Sequence, residues 1–133
     1  MSVAYAVGVQ DGVGAQGLHW FRSQKDKRQK RERRRTMPSY VILMNLTEQG
    51  VKNIKEAPAR IGSAAQALEA AGGKLLAFYT VMGAYDYVAV VEAPNDQVAL
   101  AQLLALGMQG FVRTTTLRAF TVEELAGVLK QLP

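Results

Sequence analysis

Residues 74–92 read KLLAFYTVMGAYDYVAVVE, and the fold turns on them. The stretch divides at Gly83-Ala84-Tyr85-Asp86 into two runs of β-branched, aromatic and long apolar residues, the pattern of a strand, a turn and a second strand. In the first run Leu76, Phe78 and Met82 alternate with Leu75, Ala77, Tyr79 and Val81. In the second, Tyr85, Tyr87, Ala89 and Val91 alternate with Val88 and Val90. Both faces of the pair are therefore apolar. An antiparallel sheet with one wet face alternates apolar and polar residues, so neither face here belongs in water. One calls for helices and the other for a partner.

On the N-terminal side, residues 40–46, YVILMNL, form another short strand-like run. Thr47 is placed to cap a helix with Glu48 near its positive end. Pro58 lacks an amide proton, so the helical stretch breaks near Ala57 and restarts with Pro58 in its first turn. Ile61, Ala64, Ala65 and Leu68 then share one helical face, and Gly72-Gly73 stops the helix. On the C-terminal side, Pro94 ends the strand pair and Asn95 or Asp96 caps a second helix. Its leucines read as core, and Gly107 and Gly110 end it. Residues 112–120, VRTTTLRAF, are a fourth strand, its threonines expressing β propensity. Thr121 and Glu124 form a capping box for a short last helix with Leu125, Val128, Leu129 and Leu132. The order βαββαβ plus a terminal helix predicts an α+β, ferredoxin-like fold with a four-stranded antiparallel sheet. Right-handed crossovers put strands one and three at its centre, both helices on one face. The other face, still apolar, is expected to pack on a second copy, giving a homodimer through the sheet face, a dimeric α+β barrel.

The charge is unevenly divided. Residues 1–36 carry nine Lys/Arg against three acids, whereas residues 37–133 carry seven against eight. The run SQKDKRQKRERRRT at 23–36 has no apolar face, and like charges repel and stay solvated. Residues 1–36 are therefore expected to be a disordered basic extension, and residues 37–133 the folded domain. Purine-rich codons for Lys, Arg, Glu and Gln just before Met37 suggest a natural start at Met37, which a mature chain retaining Arg33 would exclude. Nucleic acid enters only as non-specific contact by this tail. The chain has no cysteine, which removes disulfides and thiolate chemistry. No run of about 18 apolar residues suggests a membrane span, and the expected compartment is the cytoplasm.

Six segments carry a resemblance: Pro38-Ser39-Tyr40, Leu46-Thr47-Glu48-Gln49-Gly50, Gly72-Gly73-Lys74, Met82-Gly83-Ala84-Tyr85-Asp86, Glu92-Ala93-Pro94 and the strand from Val112 through Thr121. Together they resemble the GYD-domain proteins of bacteria and archaea. The likeness covers nearly all of residues 37–133 and none of 1–36. It implies a dimeric α+β barrel and brings no catalytic residue with it. The part from Gly83 to Leu117 is also similar to the effector-binding domain of leucine-responsive regulators. The helix-turn-helix that precedes that domain has no counterpart in residues 1–36.

Chemistry narrows by residue type. His19 is the sole histidine and lies in the extension, so the domain has neither His nor Cys. Zinc and haem ligation, a Ser-His-Asp set and a phosphate loop all lack their residues; no metal and no cofactor is expected. Asp86 is the one acid embedded in apolar strand sequence, which suits either a carboxylate bonding backbone amides or a base of raised pKa. The strand order is read as bringing Asp86 and Arg118 to one end of the sheet, about 10 Å apart across a single strand. Tyr85, Asp86 and Arg118 are accordingly the candidate ligand-binding residues, at the barrel end or the dimer seam; catalytic residues are unassigned. Three functions fit: a small stand-alone protein that binds or senses a small ligand, a cofactor-independent monooxygenase- or isomerase-like enzyme, and a purely structural assembly module.

Overall fold

The computed structural model describes the backbone of residues 14–133 and the side chains of residues 17–29 and 37–133. The chain divides into two compact units, Met1–Thr36 and Met37–Pro133. In the first, Gly14–Thr36 is a single α-helix, α1. This departs from the expected disorder; the part of that expectation covering residues 1–13 lies outside the described residues. The physical reason is propensity. Lys, Arg, Gln and Glu are all good helix formers, and Asp26 stands four residues from Arg22, the spacing of opposite charges on one helix side. Near its start Trp20 and Phe21 meet edge to face, 5.1 Å between ring centroids, both exposed.

The second unit runs β1 (Ser39–Leu46), α2 (Glu48–Lys52), a 3-10 turn (Ile54–Glu56), α3 (Ala57–Ala70), β2 (Lys74–Thr80), β3 (Tyr87–Glu92), α4 (Asp96–Gln109), β4 (Val112–Ala119) and α5 (Val122–Leu129). The strands form one antiparallel sheet in the order β2-β3-β1-β4, the expected ferredoxin-like arrangement. The helix ends obey local chemistry. The Thr47 hydroxyl accepts from the Gly50 amide, and Asn95 accepts from the Val98 amide. Pro58 sits in the first turn of α3, where its missing amide costs nothing. Gly73 donates to the Leu68 carbonyl and Gly72 to that of Glu69, closing α3 in a Schellman turn. The Thr121–Glu124 capping box is complete in both directions. Gly50 lets α2 press against the backbone that leads into β4: a Cβ there would lie 2.1 Å from the Phe111 carbonyl oxygen.

The core lies between the sheet and α3 and α4. Tyr40, Ile42 and Met44 of β1 and Tyr87, Ala89 and Val91 of β3 are buried there with Leu68 and Ala99. The opposite face presents Val41, Leu43, Val88, Val90 and Leu117, none of them fully buried. Two expectations need correction. The strict alternation read for β2 fails, because the register shifts between Leu75 and Ala77. This bulge puts both Leu75 and Phe78 against the core, opposite Val91 and Ala89, and leaves Leu76 exposed. The leucines of α4 are also not all core. Leu103 and Leu106 face inward, whereas Leu100 and Leu104 are 56% and 60% exposed; Gly107 lies inside the helix, which ends at Gly110 in the left-handed conformation.

Candidate functional site

The corner at Gly83–Asp86 is built on backbone geometry. Gly83 has φ +121°, a region open essentially to glycine alone. Four bonds hold the corner, three of them to the end of β1. The Val81 amide donates to the Asp86 carbonyl and the Asp86 amide to the Met44 carbonyl, both at 2.9 Å. The Asn45 side chain donates to the Ala84 carbonyl at 2.9 Å, and the Leu46 amide donates to Asp86 Oδ2 at 2.8 Å. The Asp86 carboxylate thus takes an amide of β1 just before β3 begins. Of the two roles the sequence leaves open, this contact matches the carboxylate that bonds backbone amides. Tyr85, beside it, is half-buried and makes no side-chain hydrogen bond among the described residues.

Arg118 lies elsewhere. It pairs in register with Tyr40 at the start of β1, whereas Asp86 bonds Met44 and Leu46 at its end. The intervening four to six residues span roughly 13–20 Å. The expected approach of Asp86 and Arg118 fails for a simple reason. β3 and β4 each run antiparallel to β1, so they run parallel to each other. The start of one and the end of the other must then lie at opposite ends of the sheet.

At its own end Arg118 joins a second polar group. Its guanidinium sits 4.5 Å from the Phe120 ring centroid and 5.7 Å from that of Tyr40. It donates to the Ser39 carbonyl at 3.2 Å and to the Ala119 carbonyl, and lies 3.9 Å from the Glu124 carboxylate. The Tyr40 hydroxyl donates to Asp96. Burial, reinforced by the Asp96 carboxylate and opposed by Arg118, pushes the Tyr40 phenol up to about 12.

A third feature escaped sequence reading. Between the sheet and the two helices lies a cavity of about 190 Å³. Its floor is the core face of the sheet, including Ile42 and Ala89, and its walls are α3 and α4. It exists because the wall positions are small: Ala57, Ala64 and Ala65 on α3 and Ala99 on α4 cannot fill the space. The longer side chains that would fill it, Leu100 and Leu104, point the other way. Arg60, on the first turns of α3, lines one end, its guanidinium 4.0 Å from the Phe111 ring centroid. The alanine pattern was the available signal, but alanine on a helix face reads equally as close packing. Among the described residues, no group of three or more His, Asp or Glu is arranged to hold a metal ion, and no helix is long and apolar enough to cross a membrane.

Comparison with known proteins places these features in context. The GYD domain family matches residues 40–129. A protein of Thermus thermophilus named glutamine synthetase and cystathionine beta-lyase binding protein is 38% identical over 95 residues, 71% of this chain and all of that protein. Among solved structures, a feast or famine regulatory protein from M. tuberculosis, complexed with L-methionine, is similar with a TM-score of 0.50 at 18% identity. The match covers 64% of this chain and 51% of the regulator, so this chain spans about half of it. That likeness concerns the fold.

Proposed function

The chain belongs to the GYD domain family, and from that premise we propose that it is a homodimeric binding protein that takes a small apolar ligand between its sheet and helices. The observation that carries this reading is the cavity of about 190 Å³. An apolar wall gives water little to bond, so an apolar ligand recovers what solvent cannot. The ligand site thereby moves from Tyr85, Asp86 and Arg118, of which Asp86 and Arg118 bond the backbone, to the interior of the helix layer.

Dimerisation rests on the open sheet face. Val41, Leu43, Val88, Val90 and Leu117 present a continuous apolar surface, and a face-to-face pairing of two such sheets buries it isologously. Val90→Lys places an unpaired charge in that seam and is expected to yield monomer or insoluble protein. Light scattering showing the wild-type domain as a stable monomer at micromolar concentration removes the dimer. For the ligand, 3-phenylpropanol serves as a neutral probe: amide NMR shifts confined to Ile42, Ala89, Leu103 and their neighbours are expected, and their absence at millimolar probe overturns the binding function.

A second reading is docking on an enzyme. The name of the Thermus relative supports it, and so does a surface feature. Leu100, Leu104 and Met108 recur every fourth residue on the outer side of α4 and are all exposed. A helix apolar on both sides usually meets something on each. The two readings are compatible, since a bound ligand can bias α3 and α4.

A further inference from the structure

Arg60 is the one charged side chain on the cavity wall among the described residues, and no Asp or Glu joins it there. It makes no ion pair among the described residues; Glu56, one turn earlier, is exposed. Half-buried against the Phe111 ring, the guanidinium keeps donors free for an anion. The start of α3 adds little of its own, because the Ala57 amide already donates to the Ile54 carbonyl and Pro58 has no amide proton, so the arginine is the anion-binding group. Gln109 supplies a neutral amide on the wall. The other polar groups on the wall are the hydroxyls of Tyr40, Ser63, Tyr87 and Thr116 and the Gln102 amide, all neutral; the rest is hydrocarbon or the Met44 thioether.

We propose that the cavity takes a small aromatic or branched aliphatic monocarboxylate, its hydrocarbon part over the sheet floor and its carboxylate on the Arg60 guanidinium. This rests on the ligand-binding function proposed above and names the ligand's class. Size agrees: a cavity of about 150 Å³ holds benzene, so about 190 Å³ holds one ring and a short chain. The charge pattern also selects against α-amino acids. In an α-amino acid the ammonium stands on the carbon that bears the carboxylate, so it would lie close to the Arg60 guanidinium with no carboxylate on the wall to receive it, a like-charge contact that disfavours it. The guanidinium recognises the acid by charge-assisted, bidentate bonds.

Three near-isosteres test this by calorimetry on the full chain: 3-phenylpropanoate, 3-phenylpropanol and L-phenylalanine. The acid is expected to bind at least about tenfold tighter than the alcohol or the amino acid, as bonds to a charged group imply. Arg60→Gln should bring the acid down to the alcohol's affinity and leave the alcohol unchanged, while Arg60→Lys retains part of the preference. Arg113→Gln, on the open face of the sheet, should alter nothing. Equal binding of all three compounds, or an Arg60→Gln variant that still prefers the acid, overturns the ligand class while the cavity's binding role stands. Failure of every compound, the neutral alcohol included, removes the binding function as well.

Discussion

At the scale of single residues, Asp86 is claimed by a backbone amide and Tyr40 by another side chain. The Asp86 carboxylate accepts the Leu46 amide at 2.8 Å. Asp86→Ala leaves that amide without its partner and is expected to cost roughly 1–3 kcal/mol in urea unfolding. Asp86→Asn keeps an acceptor oxygen and should cost less. A variant as stable as wild type would show that solvent replaces the carboxylate. Tyr40 is 5% exposed and hydrogen-bonded to Asp96. Its phenol titrates at about 12 in the folded chain against an ordinary 10. The folded state therefore holds the proton more tightly. Stability from this group is fully present below about pH 10 and declines as pH rises from 10 to 12, by up to about 2–3 kcal/mol. Denaturation of wild type and Tyr40→Phe across pH 9–12 isolates this contribution: the difference between them should shrink steadily above pH 10, and a constant difference would refute it.

At the scale of elements, α5 is the least anchored piece of the domain. Leu125, Val128 and Leu129 are each about half exposed, although they lie on the apolar side of a strongly amphipathic helix. Its stability then depends on the capping box, in which Thr121 and Glu124 satisfy each other's amides at 3.1 Å. Thr121→Ala should cost about 1 kcal/mol, visible as faster amide exchange across Val122–Leu129 with little change in β1 or β3. Equal slowing or quickening throughout the sheet would mean that α5 is part of the cooperative core. Element identity was legible in the sequence because caps, proline and glycine act locally: Thr47, Pro58, Asn95 and Thr121 all sit where their chemistry requires. The β2 bulge was not legible. Leu75, Leu76 and Ala77 are all apolar, so the sequence carries no mark of which one the ladder skips.

At the scale of the whole molecule, the two units carry different physics. Met37–Pro133 holds the hydrophobic core described above, whereas α1 is polar or charged over most of its length. Deleting residues 1–36 is expected to leave the domain's melting temperature unchanged within about 4 °C, less than about 1 kcal/mol at this size. A larger fall in calorimetry would show that the basic helix contributes to the fold.

Strand pattern, caps and turn residues determined the element order by themselves. Right-handed crossover then determined the strand order β2-β3-β1-β4, because both rules act over short stretches of chain. The candidate site was another matter. Tyr85, Asp86 and Arg118 drew notice as polar residues in apolar strands, and Tyr85 and Asp86 are neighbours in any fold. That Arg118 stands at the far end of the sheet already followed from the antiparallel strand order; only the tertiary structure decided that Arg60 and Phe111 meet across 51 residues of chain, and that the leucines of α4 split between inside and outside. A helix's azimuth and the void left between packed layers depend on the volumes of all the side chains facing them together, and no local pattern carries that sum.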